Sequence, residues 1–138
     1  MNMTLVDELL KADAKKADEL KTGTYLSERL AHILGKDEPV EISIKEIASR
    51  RLNDILAYQI NAKGNVDISK SFDAKLMVCI EGITNPDLKN KELQAHFGVG
   101  TAKELAEKLL GSEVTEISDA ISKLSGIVAE DNEEEIKN

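Results

Sequence analysis

Residues 69–83 read SKSFDAKLMVCIEGI, and this stretch decides the fold class. Five of its apolar side chains recur at helical spacing and therefore share one face: Phe72, Leu76, Cys79, Ile80 and Ile83. Such a broad apolar face has to be covered by other elements of the fold. We therefore expect residues 69–83 to form the central, most buried helix of a mainly helical protein.

The composition of the 138-residue chain agrees with a helical fold. Tyr25, Tyr58, Phe72 and Phe97 are its aromatic residues, and it has no Trp. An all-β fold is disfavoured, because sheets are enriched in aromatic and β-branched residues.

One stretch has the alternation of a strand. Val40, Ile42 and Ile44 alternate with polar residues, which predicts a strand at this point. Since a single strand is not stable unpaired, residues 24–28 are its expected antiparallel partner. The segment from Tyr25 to Leu34 is ambiguous, because its start resembles a strand while its end has helical spacing that stops at Gly35.

Apolar spacing and capping residues, Thr4 and Thr101 among them, predict further helices around the central one. They span residues 4–20, 48–60, 90–97, 101–110 and a last helix that begins with Ser112 as its cap and continues to about Val128. Thr22, Gly23 and Thr24 are expected to end the first helix. The predicted fold class is therefore mainly α (α+β), with about six helices and a small two-stranded antiparallel β ribbon.

The charge is concentrated at the C-terminus. The chain has 18 Lys and Arg against 26 Asp and Glu, a net charge of −8. We expect residues 1–127 to form a single helical domain and residues 128–138 to be an acidic disordered tail. The acidic balance argues against a nucleic-acid-binding protein, since binding to phosphates depends on clustered Lys and Arg.

No catalytic, metal-binding or cofactor-binding pattern is found in the sequence. The single cysteine, Cys79, excludes an internal disulfide and a multi-thiolate zinc site. An enzyme that uses Cys79 with His32 or His96 is an alternative, but Cys79 falls on the apolar face of the central helix. The longest apolar run, residues 76–80, is too short to span a membrane, and there is no secretory signal. We expect a non-enzymatic cytoplasmic protein without cofactors.

The last helix carries an apolar seam, which we define as Val114, Ile117, Ile121 and Leu124. Apolar residues at alternating intervals of three and four resemble a coiled-coil contact. The seam either packs on the helix of residues 101–110 or is partly open to a partner helix. The second interpretation makes these four residues the candidate partner-binding site, and both hold if the domain self-assembles.

Several motifs, taken in order, resemble one known family. Asn85-Pro86-Asp87 leads into His96-Phe97-Gly98, Thr101-x-x-Glu104-Leu105 follows, and Ile121-x-x-Leu124-Ser125-Gly126 closes the domain. Leu5-Val6-Asp7 and Thr22-Gly23-Thr24-Tyr25 extend the likeness to the N-terminal half. Over residues 4–127 the chain resembles the XkdN-like tail assembly chaperones of phages and phage-derived contractile elements.

The resemblance implies a role in building a phage tail inside the bacterial host cell. Chaperones of this type bind the tape measure protein, keep it soluble and bring tail tube subunits to it, and they are absent from the mature tail. The expected partners are thus the tape measure protein and the tail tube protein, with a homo-oligomer possible and neither nucleic acid nor membrane. The alternative is a small acidic regulatory or adaptor protein that binds a partner helix.

Overall fold

A computed structural model of the protein describes residues 4–127, a mainly helical fold with one small sheet. In chain order, the elements are α1 (Leu5–Lys11), a 3₁₀ turn (Ala14–Asp18), β1 (Thr22–Ser27), α2 (Glu28–Leu34), β2 (Val40–Lys45), α3 (Ser49–Tyr58), α4 (Ile68–Gly82), β3 (Ile83–Asn85), α5 (Lys91–His96), α6 (Ala102–Leu110), a second 3₁₀ turn (Gly111–Glu113) and α7 (Val114–Leu124). The prediction of a mainly helical fold is confirmed.

Within residues 4–127 the sheet has three strands in the order β1-β2-β3, so the predicted two-stranded ribbon is wrong in strand number. The antiparallel pairing of β1 with β2 is confirmed, with Tyr25 opposite Ile42. The missed strand, β3, has only three residues and pairs antiparallel with β2 through a register shift at Ser43 and Ile44. So short a segment carries no recognisable alternation, and the helical spacing of residues 69–83 places Ile83 in the preceding helix instead.

Helix α4 is at the centre of the described fold, as its apolar face predicts. It packs against α3, α6 and α7. Leu76 and Cys79 are completely buried, whereas Phe72, at the N-terminal part of the same face, is exposed. The predicted buried face therefore covers the C-terminal part of the helix and leaves its first turns open to solvent.

The N-terminal segment differs from the single helix predicted over residues 4–20. Thr4 caps α1 as expected, and Asp7 completes the capping box by accepting a hydrogen bond from the Thr4 backbone at 3.1 Å. The helix ends at Lys11, because the Asp13 side chain accepts a bond from the Lys15 amide at 3.0 Å and starts a separate 3₁₀ turn. Residues 22–24, expected to end the helix, instead begin β1.

The ambiguous segment resolves into both of its possible structures. Ser27 ends β1, and its hydroxyl caps α2 by accepting a bond from the Leu30 amide at 3.0 Å. Gly35 closes α2 with a φ of 69°, a conformation that glycine adopts without strain. Strand and helical signals overlap in this segment because Ser27 is both the last residue of β1 and the cap of α2.

The junction of α6 and α7 differs from prediction as well. Thr101 caps α6 as expected, accepting a bond from the Glu104 amide at 3.1 Å. Ser112, expected to cap the last helix, instead lies in the 3₁₀ turn, and α7 begins at Val114 without a side-chain cap. Val128 and the predicted acidic tail, residues 128–138, lie outside the described residues.

Candidate partner-binding surfaces

The apolar seam is part of the hydrophobic core. Val114, Ile117 and Ile121 have no exposed surface, and Leu124 is half-buried against the same core. Helix α7 packs chiefly on α4 and also contacts α6, β1 and β2, so the predicted contact with the helix of residues 101–110 is only part of its environment. In this conformation three of the four seam side chains are covered and Leu124 is partly accessible, so partner binding through the seam stays a prediction, and exposed apolar side chains elsewhere form further candidate surfaces.

An exposed apolar surface lies where α3 leads into α4, and we call it the hairpin patch. It consists of Tyr58, Ile60, Val66, Ile68 and Phe72, all exposed. Ile68 is the most exposed of them, at 85%. Single exposed apolar side chains are ordinary, but several of them within one short segment make that segment a candidate interaction surface.

The backbone between α3 and α4 brings these side chains together. Ile60 and Val66 are paired across a short antiparallel bridge. The Asp67 amide donates to the Gln59 carbonyl at 2.6 Å, which closes the bridge beside α4. Ile68 and Phe72 follow one helical turn apart, so they lie on the same face of α4. The bridge thus pairs Ile60 with Val66 a few residues before the helical turn that carries Ile68 and Phe72.

Polar side chains fix the shape of the loop that carries the patch. The Asn61 side chain accepts bonds from the Lys63 and Asn65 amides at 2.9 and 3.1 Å. Gly64 has a φ of 85°, which the tight turn requires. Asp67 caps α4 by accepting bonds from the Ser69 amide and hydroxyl, and these bonds lower the pKa of its carboxyl group. The loop is held by hydrogen bonds, so its apolar side chains remain exposed without disrupting it.

Helix α1 presents a second exposed apolar surface. Leu5 and Leu9 form one row and Val6 and Leu10 another, as the spacing predicts. All four are exposed, from 64% for Leu9 to 79% for Leu10, and no residue of the helix is buried. The spacing of these residues predicts an amphipathic helix, but it does not show that the body of the protein leaves the apolar face uncovered.

The hairpin patch was missed at the sequence level. Its available signal was the turn Asn61-Ala62-Lys63-Gly64-Asn65 between two β-branched residues, Ile60 and Val66. That pattern is typical of a hairpin whose flanking side chains lie side by side. Whether those side chains face the core or the solvent depends on the surrounding fold.

The structure does not bring Cys79 together with either histidine. The Cys79 thiol is buried and donates to the Val114 carbonyl at 3.6 Å. Burial raises the pKa of this thiol to about 12. His32 and His96 are both exposed, and the His96 ring stacks edge-on against Phe97 at 5.1 Å. The geometry therefore gives no support to the alternative of a cysteine nucleophile activated by an imidazole.

A cleft of about 550 Å³ lies beside the turn at Pro86, and His96 lines it. Its polar groups already serve local structure: Asp87 accepts a bond from the Lys89 amide at 3.0 Å, and Asn90 caps α5 through the Leu93 amide at 2.8 Å. Within residues 4–127, no group of three or more His, Cys, Asp or Glu side chains could hold a metal ion. None of the helices described here is long and apolar enough to cross a membrane.

Comparisons with known proteins point to one family. The family model described as "Phage XkdN-like tail assembly chaperone protein, TAC" matches residues 6–137. The crystal structure of the protein yqbn is similar in fold, with a TM-score of 0.57 and 14% identity over 85% of this chain and 98% of that one. No curated protein matches the sequence.

Proposed function

The chain belongs to the phage XkdN-like tail assembly chaperone family, and from this membership we propose that it binds the tape measure protein and keeps it soluble during tail assembly. In this proposal it also helps to recruit tail tube subunits, acts in the cytoplasm of the bacterial host cell and is absent from the mature tail. No catalytic step is involved.

The observation that carries the proposal is the exposed apolar surface on a chain of this family. The hairpin patch and α1 together leave nine large apolar side chains in solvent, namely Leu5, Val6, Leu9, Leu10, Tyr58, Ile60, Val66, Ile68 and Phe72. Covering such surface with the apolar stripe of an amphipathic helix is favourable by about 25 cal/mol per Å². A partner with a long series of amphipathic helices would gain solubility by being covered in this way.

The two surfaces suit this task in different ways. The hairpin patch is held in place by the hydrogen bonds of Asn61 and Asp67, so it offers a preformed site for one apolar stripe. Helix α1 presents rows of leucines and valine at the spacing of a helix–helix contact. Binding through both surfaces would prevent an apolar stripe of the tape measure protein from associating with other copies of that protein.

Co-expression with the tape measure protein tests the proposal. We expect the tape measure protein to be soluble with the wild-type chain and to aggregate with the double variant Ile68→Glu/Phe72→Glu. The matched control is Asn53→Glu/Ala57→Glu, which adds the same charge at the same spacing on exposed positions of α3. A tape measure protein that is equally soluble without this chain would contradict the proposal.

A second double variant separates the two surfaces. Leu9→Ser/Leu10→Ser removes apolar surface from α1, where neither side chain is buried, and we expect a weaker loss of tape measure solubility than with the hairpin variant. Recruitment of tube subunits is tested by adding purified tail tube protein to the chaperone–tape measure complex and measuring co-elution. Mass spectrometry of purified tails should not detect this chain.

The alternative is an acidic adaptor protein that binds a partner helix outside tail assembly. Gene order separates the two functions, because a tail assembly chaperone gene is expected between the tail tube gene and the tape measure gene. A gene located among regulators would favour the adaptor.

A further inference from the structure

The outer edge of β1 is paired with no strand in the part of the chain that the structure describes. Within residues 4–127, β1 is an end strand of the sheet, with β2 on one side and no strand on the other. The Glu46 amide donates to the Lys21 carbonyl at 2.8 Å, so residues 21 and 46 form a hydrogen-bonded pair. Because such pairs alternate in an antiparallel ladder, residues 23, 25 and 27 bond to β2, while Thr22, Thr24 and Leu26 direct their N–H and C=O groups outward.

The two edges of the sheet differ in their protection against further pairing. β3 has three residues and is followed at once by Pro86, which has no N–H to donate. Its pairing with β2 also contains a register shift. β1 has six residues with neither charge nor proline, and its Leu26 side chain is 59% exposed. The devices that normally prevent association through an edge are thus present at β3 and missing at β1.

We propose that two copies of this chain pair through the outer edges of β1, antiparallel and with the two-fold axis at Thr24, to form a continuous six-stranded sheet. In this register Thr24 lies opposite the partner's Thr24, and Thr22 lies opposite the partner's Leu26. All these residues direct their backbone groups outward, so each of the three opposed pairs exchanges two hydrogen bonds. The edge is therefore complementary to itself, as a two-fold interface requires.

Side chains and charges fit the same register. Gly23 lies opposite the partner's Tyr25 in the closely spaced, non-hydrogen-bonded pair, where the absence of a side chain leaves room for the ring. Lys21 lies opposite the partner's Ser27, on the face where the Ser27 hydroxyl donates to Glu113 at 2.6 Å, and therefore near the partner's Glu113. Lys21 is exposed, and the symmetry places this pair of opposite charges, Lys21 and Glu113, at each end of the interface. The contact is thus free of like charges along the strand and complementary at its ends.

Sedimentation velocity over a concentration series tests the pairing. We expect a monomer–dimer equilibrium for the wild-type chain, and an at least tenfold weaker dimer for Thr24→Lys, which places two like charges on the axis. Lys21→Glu should weaken the dimer, and Lys21→Gln, which removes the charge without reversing it, should weaken it less. A chain that is monomeric at all concentrations overturns the proposal, as does a dimer that is insensitive to Thr24→Lys.

Disulfide trapping tests the register itself. Thr24→Cys should form a covalent dimer on mild oxidation, since opposed Cα atoms in a hydrogen-bonded pair lie about 5.5 Å apart. Thr22→Cys is the matched control, because the two copies of residue 22 would be about 13 Å apart along the strands. Cys79 is buried and present in both variants. Equal cross-linking of the two variants would contradict the two-fold axis at Thr24.

Discussion

Gly82 leaves the space that Ile121 fills. A Cβ atom at residue 82 would lie 2.5 Å from Ile121 Cγ2 and 2.6 Å from its Cδ1. Ile121 has no exposed surface, so the isoleucine cannot move aside into solvent. This contact fixes how closely α7 approaches the last turn of α4. It also gives Ile121, one of the four seam residues, a packing role against Gly82.

Gly82→Ala should therefore destabilise the protein. Overpacking of this kind costs about 1–3 kcal/mol, and the gain in helix propensity is small because Gly82 is the last residue of α4. Chemical denaturation measures the loss. The control is Gly100→Ala, where the nearest atom to the added Cβ is Glu104 Oε1 at 3.9 Å. A Gly82→Ala variant as stable as the wild type would show that α7 is not held at this distance.

Arg29 connects α2 to the C-terminal end of α6. Its guanidinium donates to the carbonyls of Leu109 at 3.1 Å and Lys108 at 2.8 Å, which are left without helical partners at the end of α6. Arg29→Lys keeps the charge but loses the forked geometry, so we expect a loss of about 1 kcal/mol in unfolding free energy. Arg50→Lys, at an exposed position of α3, is the control and should be neutral.

Glu113 lies far from α2 along the chain but forms hydrogen bonds with its first residues. Its carboxylate accepts bonds from the Ser27 hydroxyl at 2.6 Å and from the Glu28 and Arg29 amides at 3.1 and 3.3 Å. Glu113→Gln removes the charge that strengthens these bonds, and we expect a loss of about 0.5–1.5 kcal/mol. Thermal denaturation should show no such loss for Glu107→Gln, an exposed residue of α6; equal losses would contradict this role.

Cys79 should react slowly with thiol reagents in the native protein. The thiol is buried, and with a pKa of about 12 almost none of it is thiolate at pH 8. We expect labelling to be limited by opening of the fold and to become fast in denaturant. Rapid native labelling would revive the alternative of a reactive cysteine.

The same thiol makes stability fall at alkaline pH. Its pKa is raised in the folded state, so its contribution is fully present below the pKa of an unfolded cysteine, about 8.5, and is lost as the pH rises toward 12. Denaturation midpoints between pH 8 and 10.5 should decline more steeply for the wild type than for Cys79→Ala. Parallel declines would contradict the burial of the thiol in the folded state.

The sequence was informative where local chemistry determines the structure. The caps at Thr4 and Thr101 and the alternation of Val40, Ile42 and Ile44 follow from hydrogen bonding and periodicity within a few residues, and the structure has all of them.

The sequence predictions fail where residues that are distant along the chain determine the structure. An apolar stripe looks the same whether it packs in the core, as Ile121 does, or faces solvent, as Leu10 does. β3 exists because β2 offers an edge beside Ile83, which no local pattern shows. The hairpin patch was missed for the same reason.

Helix α1 would give partner binding at its exposed leucines, where it occurs as proposed, a particular thermodynamic signature. A helix of seven residues is far shorter than the 12–15 residues at which isolated helices become even marginal in water. A partner that covers its leucines would remove apolar surface from water and also order the helix. Calorimetry on the intact chain would then record a negative heat-capacity change together with an unfavourable conformational entropy. Substitutions that raise the helix propensity of α1 at positions away from the partner would then strengthen the proposed binding.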